Sequence, residues 1–372
     1  MRKRAGFSLM EMVVTLAVLG MVTFFLTDLL VRQSRTYTVV DDVSEAQQSL
    51  RAVSGLIERD LRSTGFMVPS AAIVCGWDMP TVAGSDNTPD VLYVTDADAI
   101  DPTGLTSTSA QAASITGGFT GIGEDDLVLS GLIVDGNGFY DLDDDGIGDS
   151  DFLYTATPER SGGVIVVSRN DPSKGAACGV ITGINTMTNT VTVDFEVRNP
   201  PNAPGGAGAA PGGTPIGVGA TNLAAVPAHA YWVNPGPPPQ LVRDGMPLAN
   251  DVEDLQVAYF FDTNDDGVVN GLDTSYPPLP AHSATEYPGS AANSFGTDYQ
   301  SGAWDNSELR EVRVTIVART RTEDPDVLAN PALANSVVQA FENRPAGVVA
   351  DGFRRRAVTL TVKPRNANRV LP

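Results

Sequence analysis

Histidine, cysteine and basic residues are scarce in this chain. The shortages of histidine and of basic residues each argue against a class of function. The 372 residues include two histidines and two cysteines, with 24 basic residues against 45 acidic ones. His229 and His282 stand apart among prolines and alanines and are expected in loops. A Ser-His-Asp triad or a histidine-rich metal site therefore has no support. The formal net charge of -21 argues against a nucleic acid partner.

Catalytic signals are also missing among the acidic residues. Many carboxylates are present, but no pair stands out in the way that a glycoside hydrolase would require. The sequence therefore favours a protein that is not an enzyme. Apolar residues are not scarce: they make up 42% of the chain, enough for a membrane helix plus one large domain or two modest ones.

The N-terminus combines a basic tip with a long apolar run. Three basic residues at positions 2–4 precede Gly6, and residues 7–31 carry only two ionisable side chains, Glu11 and Asp28. At about 1.5 Å per residue, this run is long enough to cross a bilayer as a helix. The basic end should stay on the cytoplasmic side.

The small residue Gly6 precedes the apolar run, whereas an ordinary secretory signal has its cleavage site after it. Gly6, Phe7 and Glu11 in this arrangement resemble the class III signal of type IV prepilins and type II secretion pseudopilins. The resemblance implies that prepilin peptidase cleaves between Gly6 and Phe7 and that the new amine of Phe7 is methylated. The apolar helix would then remain on the mature chain.

A carboxylate such as Glu11 inside an apolar helix needs a partner, because inserting it into lipid costs about 2.5–3.5 kcal/mol at the helix centre. The resemblance implies that Glu11 meets the free amine of a neighbouring subunit's first residue and so sets the stagger between subunits. The alternative is an acid that snorkels to the headgroups.

A second helical half follows the apolar run. Neither glycine nor proline intervenes between Val31 and Gly55. Six apolar residues recur at helical spacing and predict an amphipathic helix that lies on a sheet, with Gly65 as its C-cap: Val39, Val43, Ala46, Leu50, Val53 and Ile57.

The rest of the chain has the alternating polarity and turn residues of β-structure. The predicted fold is α+β and pilin-like, a long N-terminal helix packed on an antiparallel head with a large β-rich insertion or second lobe. Residues 199–219 are rich in Pro, Gly and Ala and form a linker or a long loop. The predicted segments are a leader (1–6), a membrane and assembly half-helix (7–31), an amphipathic half-helix (32–65), a β-rich part (66–198), the linker or loop (199–219) and a C-terminal antiparallel part (220–372).

The C-terminal strands narrow the resemblance, which covers about the first 75 and the last 145 residues. Together with Arg59-Asp60-Leu61-Arg62 at the helix end, they resemble PilW-type minor pilins: Tyr231-Trp232-Val233, Leu241-Val242-Arg243, residues 252–257, residues 312–320 and Phe353-Arg354-Arg355-Arg356. The likeness implies a subunit that primes pilus assembly or forms the tip. Its partners would be other minor and major pilins through the helix, prepilin peptidase and a large tip adhesin.

The same resemblance implies a location. The precursor would sit in the inner membrane as a single-pass protein with its head in the periplasm, and the mature chain would move to the fibre. One alternative is a J-type pseudopilin of type II secretion, which shares the helix and its Arg-Asp-Leu-Arg end. Another is a calcium-dependent adhesin or hydrolase that is only anchored by the helix.

The two cysteines, Cys75 and Cys178, fall on the non-cytoplasmic side in this topology, where oxidation is permitted. We expect one disulfide between them, and the alternative is a pair of unpaired buried thiols.

Two aspartate-rich loops predict Ca²⁺ sites. Residues 262–273 place oxygen side chains at loop positions 1, 3, 5, 9 and 12 and a glycine at position 6, which is close to an EF-hand loop. Position 12 is Asp rather than Glu, and a strand precedes the loop, so weak binding is expected. The candidate ligands are Asp262, Asn264, Asp266, the Val268 carbonyl, Asn270 and Asp273.

A second loop repeats the first nine positions, but Phe152 stands where the last ligand should be, with Asp151 as a substitute. For both loops the alternative is a solvated acidic turn. The candidate ligands in the second loop are Asp141, Asp143, Asp145, the Ile147 carbonyl and Asp149.

Overall fold

The structure is a computed structural model. The described residues are 9–65, 73–77, 89–95, 113–115, 124–130, 133–134, 140–141, 154–156, 159–168, 176–185, 187–188, 190–195, 223–262, 274–276, 309–329 and 351–365.

One long helix, α1, runs over Leu9–Ser63 and is 55 residues long. Its second half buries an apolar stripe: four of the six predicted residues, Ala46, Leu50, Val53 and Ile57, are buried, as is Leu61, whereas Val39 and Val43 are only partly buried. The helix ends where the sequence indicates, because Gly65 has a φ of 76°, a left-handed conformation that glycine adopts without steric cost. The predicted amphipathic half-helix and its C-cap are confirmed.

Strands make up most of the remaining described residues. They are β1 (Val74–Trp77), β2 (Val91–Thr95), β3 (Ala113–Ile115), β4 (Glu124–Ser130), β5 (Ile133–Val134), β6 (Tyr140–Asp141), β7 (Tyr154–Ala156), β8 (Glu159–Ser161), β9 (Gly163–Ser168), β10 (Ala176–Asn185), β11 (Thr190–Asp194), β12 (Leu223–Asn234), β13 (Gln240–Arg243), β14 (Met246–Asn250), β15 (Val252–Phe261), β16 (Thr274–Tyr276), β17 (Leu309–Arg319) and β18 (Arg355–Val362). A short helix, α2 (Pro325–Ala329), follows β17. All pairings among these strands are antiparallel, as the predicted fold class requires.

Six strands of the larger sheet pair in a closed circle. Their order is β12, β3, β4, β11, β10 and β9, and β9 pairs again with β12 through residues 223–228. One buried cluster draws on five of these strands, with Leu127, Val164, Ile181, Val191 and Ala225 among its members. A sheet that closes on itself leaves no open edge.

The strands on either side of residues 199–219 belong to the same sheet, because β12 pairs with both β2 and β9. The first half of β12 completes the closed circle, and its second half pairs with β2 and β13. The closed circle and the strands β2 and β13 are therefore joined through one twelve-residue strand, β12.

The smaller sheet has the order β16-β15-β17-β18 and packs against α1. On β17, Val312, Val314, Ile316 and Ala318 all face this core, as the alternation of the sequence predicts. Asp90, just before β2, links the two sheets. Its N–H donates to the Leu255 carbonyl at 2.7 Å, and its carboxylate accepts from the Val257 N–H at 2.7 Å.

The predicted disulfide is present. It joins Cys75 on β1 to Cys178 on β10 with 6.2 Å between the Cα atoms, and both cysteines are buried. The bridge spans 103 positions of sequence and ties the strand next to β2 to the closed circle.

Replacing both cysteines by serine should lower the free energy of unfolding by about 2–5 kcal/mol, because the unfolded chain loses a long covalent loop. Chemical denaturation of the detergent-solubilised full chain, followed by tryptophan fluorescence, measures this. The matched control is the reduced wild-type protein, which should show a similar loss. An unchanged midpoint in both samples would contradict the prediction.

Candidate functional site: the N-terminal helix and its attachment to the head

The first half of α1 is an exposed apolar helix. Every described residue from Leu9 to Thr38 is exposed, and the most apolar 18-residue window has a mean hydropathy of 2.2. Within the described residues, α1 alone is long and apolar enough to cross a membrane. The hydroxyls of Thr15, Thr23 and Thr27 donate to carbonyls four residues earlier, at 2.6 to 2.8 Å. These polar groups therefore have partners within the helix and do not require water.

The two acidic residues of this half lie at opposite ends. Asp28 forms an ion pair with Arg32 at 2.9 Å, one turn further along the same helix. Glu11 lies in the first turn of the described helix, where its side chain projects outward. Gly6 and Phe7, the predicted cleavage and methylation positions, lie outside the described residues.

The second half of α1 is attached to the head by a buried carboxylate, Asp60. One of its oxygens accepts hydrogen bonds from the Tyr231 hydroxyl and, at 2.8 Å, from the Arg243 guanidinium. Its other oxygen accepts from Arg59 at 3.1 Å. Only 4% of Asp60 is exposed, so the negative charge is compensated inside the protein.

Tyr231 is held in its protonated form at this site. Burial, followed by the negative charge of Asp60, raises the pKa of Tyr231 far above its ordinary value. The hydroxyl therefore remains protonated and donates to the Asp60 carboxylate. The Arg243 guanidinium also lies 5.8 Å from the Tyr231 ring centre, so Arg243 contacts both Asp60 and Tyr231.

A second carboxylate, Asp244, extends this cluster. Asp244 and Gly245 both have positive φ and form the tight turn between β13 and β14. The Asp244 carboxylate accepts from the Ala230 N–H at 2.8 Å and lies 2.7 Å from Nδ1 of His229. The end of the helix, β12 and the β13–β14 turn are thus held by one polar network.

The expected loop position of His229 is wrong, because this residue lies within β12. The neighbouring proline suggested a loop. Pro227 instead occurs where one edge of β12 changes partner, from β3 at Ala225 to β2 at Ala228, and strands tolerate proline at such places. His282 lies outside the described residues.

Arg354, just before β18, and Arg355, the first residue of β18, are paired with acidic residues of the head. Arg354 bonds to Asp324 at 2.6 Å, and Arg355 bonds to Asp351 at 2.6 Å and also to Glu253. Burial acts to raise the pKa of both Asp324 and Asp351, but hydrogen bonds from the arginines and from backbone N–H groups lower it overall. These carboxylates are therefore held in their charged form.

A further set of contacts ties the middle of α1 to the segment after β17. Arg321 bonds to Glu45 at 2.8 Å and to Asp251 at 3.3 Å, and Thr322 donates to Asp42. Beside these contacts, a polar cavity of about 230 Å³ lies between α1, β14 and the end of β17. These ion pairs are partly exposed and contribute little to stability singly.

Most of the predicted Ca²⁺ ligands lie outside the described residues. Asp262 is described, fully buried, and its carboxylate pairs with Arg310 at 3.2 Å. Asp141 is described as the end of β6. Across the described ranges, no group of three or more His, Cys, Asp or Glu side chains is arranged to hold a metal ion. Calcium binding stays a prediction. The remaining candidates outside the described residues are Asn264, Asp266, Val268, Asn270, Asp273, Asp143, Asp145, Ile147 and Asp149.

Comparison with protein families bears on the first residues of the chain. Residues 1–27 match the model of the prokaryotic N-terminal methylation motif. The chain carries a prepilin-type N-terminus. This match covers the predicted cleavage and methylation positions as well as Glu11, and a prepilin-type N-terminus of this kind fits membrane anchoring by α1.

Comparisons with whole proteins add little to this match. A search of curated protein sequences found no match. Among solved structures, the chain is similar to a type IV-like pilin from Thermus thermophilus, with 14% identity over 57% of this chain and 88% of that one. The TM-score is 0.21, so this likeness adds nothing to what the helix and the sheets already show.

Sequence reasoning singled out Asp60 only as part of the helix-end pattern and did not find its partners. The sequence feature that could have indicated this role is the position of Asp60, an acidic residue close to the apolar stripe of an amphipathic helix. Tyr231 and Arg243, which compensate its charge, lie 171 and 183 positions away.

Replacing Asp60 by alanine should lower the free energy of unfolding by about 3–5 kcal/mol, because Arg243 and the Tyr231 hydroxyl lose a buried partner. Chemical denaturation of the solubilised full chain measures this. The matched control is Glu58→Ala, which removes a half-exposed acid paired with Arg62 and should cost less than about 1 kcal/mol. Equal losses in both variants would show that the buried network does not hold the helix.

Proposed function

We propose that the chain is a minor type IV pilin, processed by prepilin peptidase, that helps to prime pilus assembly or forms the pilus tip. Its role is structural rather than catalytic. The observation that carries the proposal is the division of α1: an exposed apolar half follows a prepilin-type N-terminus, and a buried half is locked to a folded head.

The exposed half suits two environments in turn. Sixteen large apolar side chains between Leu9 and Val31 are exposed, from 46% to 82% each. Such a surface is stable in lipid before assembly and against the helices of other pilins afterwards. The partners supported by this surface are other minor and major pilins. A large tip adhesin and the periplasmic placement of the head belong to the same proposal.

The size of the head favours a position that is occupied once or a few times per fibre. The head carries a closed circle of strands in addition to the sheet that packs on α1. A subunit repeated along a fibre has to fit beside its copies, whereas a subunit at the tip does not. A J-type pseudopilin at the tip of a secretion pseudopilus would meet the same constraint, and co-purification of the chain with pilus fibres or with secretion components separates the two.

Processing is the first test of the proposed function. Mass spectrometry of the chain from the fibre fraction should find a mature N-terminus at Phe7 with a methylated amine. Gly6→Val should prevent cleavage, because a larger side chain crowds the peptidase site, and the variant should stay in the membrane with Met1 intact. An intact Met1 on wild-type protein in fibres would overturn the proposal.

Replacing Glu11 by alanine should leave insertion and folding intact but reduce incorporation into fibres. If the intersubunit amine pair contributes more than about 1.4 kcal/mol, incorporation should fall by more than about tenfold. Quantitative immunoblotting of sheared fibres and of the membrane fraction measures this. Asp41→Ala, an exposed acid of the same helix, is the matched control and should assemble normally. Normal incorporation of the Glu11 variant would favour the snorkelling alternative.

The loop that begins at Asp262 should bind Ca²⁺ with a Kd of about 10⁻⁴–10⁻³ M, the range of extracellular modules. The loop carries four carboxylates within twelve residues, a composition that favours a bound cation. Calorimetry and thermal unfolding of the full chain should show binding and a raised Tm, both weakened by Asp266→Ala. Because Asp262 is already paired with Arg310, Asp266 is the better position to vary. Absence of heat and of any Tm shift at millimolar Ca²⁺ would overturn the prediction of Ca²⁺ binding for both loops.

A further inference from the structure

A short polar segment of α1, residues 32–38, separates the apolar half of the helix from the head. It contains two arginines, Arg32 and Arg35, one aromatic residue, Tyr37, and no acidic residue. All of its residues are exposed, and the first partly buried residue of α1, Val39, comes directly after them. The segment therefore belongs neither to the apolar surface nor to the core of the head.

The length of the apolar half places this segment at a membrane surface. From Leu9 to Val31 the helix rises about 33 Å, close to the roughly 30 Å of a hydrocarbon core, and each headgroup layer adds about 5–7 Å. Arg32 and Arg35 follow Val31 by about 1.5 and 6 Å of helical rise, so both lie in a headgroup layer when α1 spans the bilayer. Because the basic tip of the chain is expected at the cytoplasmic surface, this layer is the non-cytoplasmic one.

Of the two arginines, Arg35 carries the uncompensated charge. Arg32 forms an ion pair with Asp28 at 2.9 Å within the same helix. Arg35 has no acidic residue three or four positions before or after it, and within the described ranges no carboxylate pairs with it. Its guanidinium is a planar fork of N–H donors, a geometry that fits two oxygens of one phosphate group.

The charges along α1 are ordered as an anionic surface requires. The next acidic residues after Arg35 are Asp41, Asp42 and Glu45. Asp41 lies about 15 Å of helical rise beyond Val31, outside the headgroup layer. Since charges in water are screened over about 8 Å at physiological ionic strength, an anionic membrane surface attracts Arg35 and repels these carboxylates only weakly.

Tyr37 is oriented towards the same surface. Side chains of a helix lean towards its N-terminus, which for α1 is the membrane end. The Tyr37 hydroxyl accepts a hydrogen bond at 3.3 Å from Gln33, one turn nearer the membrane, while the Tyr37 side chain stays exposed. Tyrosine is enriched at membrane–water interfaces, because its ring is apolar and its hydroxyl is polar.

We propose that residues 32–38 bind anionic phospholipid at the non-cytoplasmic membrane surface, with the Arg35 guanidinium on a headgroup phosphate and Tyr37 at the interface. This contact fixes the depth of α1 and keeps the head at a set height above the bilayer before assembly. The inference rests on the membrane insertion of α1, which is part of the proposed function, and adds a lipid-binding site to it.

An exposed arginine on a helix has two competing explanations. Water alone can solvate it, or a carboxylate of a neighbouring chain can pair with it. Neither explanation involves lipid, so neither predicts a difference between neutral and anionic lipids around Arg35.

The test uses the full chain in vesicles of phosphatidylcholine mixed with phosphatidylglycerol. Ser34→Cys supplies a site for a fluorophore beside Arg35, and the native cysteines do not react because they form a disulfide. A nitroxide on a lipid headgroup quenches the fluorophore only at short range, so basic residues at the opposite surface do not contribute. Quenching should show that phosphatidylglycerol is enriched over phosphatidylcholine around the fluorophore by about fivefold, as expected for one arginine near an anionic surface.

Arg35→Gln should remove most of this preference for phosphatidylglycerol. Arg51→Gln is the matched control, because Arg51 is an exposed arginine of the same helix about 24 Å of rise further from the membrane, and it should keep the full preference. Raising the salt concentration should reduce the preference of the chain that retains Arg35, since screening weakens the attraction.

Three results would overturn the inference, and they differ in what they imply for the proposed function. Equal quenching by the two lipids, with a chain that resists extraction by alkaline carbonate, would refute lipid binding alone and leave Arg35 to water or to a neighbouring chain. Equal loss of preference in the Arg35 and Arg51 variants would refute the site, because the effect would then follow net charge rather than position. Removal of the chain from the vesicles by alkaline carbonate would refute the membrane insertion that both proposals need.

Discussion

The burial of Asp60 is the constraint on which the attachment of the helix depends. A carboxylate removed from water is stable only where donors surround it, and here the donors come from β12 and β13. The apolar stripe of α1 supplies most of the driving force for packing, but hydrophobic contacts have no direction. The Asp60 hydrogen bonds do have direction, so they set the position of the helix end relative to the sheet.

This attachment separates the two tasks of one continuous helix. From Ala46 to Leu61 the helix is part of the core of the head, and from Leu9 to Thr38 it has no contact with the head that would bury it. The first half is therefore available to lipid or to other helices without any cost to the fold of the head. The Arg321 contacts with Glu45 and Asp251 lie where the two halves meet.

Local sequence patterns predicted the helix and strands of this fold well. They could not predict features that depend on contacts between residues far apart in sequence. The stripe from Val39 to Ile57, the cap at Gly65 and the alternation along β17 all follow from neighbouring residues. The closed circle of strands and the link from Asp90 to β15 depend on partners far apart in sequence, which no periodicity records. The Asp60 cluster was missed for the same reason. The N-terminal motif was recognisable because its parts lie within eleven residues.

The closed circle of strands has a consequence for the surface of the head. A strand with free backbone groups is a template for pairing with another chain, and this hazard grows with the local concentration of the protein. Within the described residues, each of the six strands of the circle pairs with two others of the same circle. This lobe therefore adds volume to the head without adding a long free strand edge.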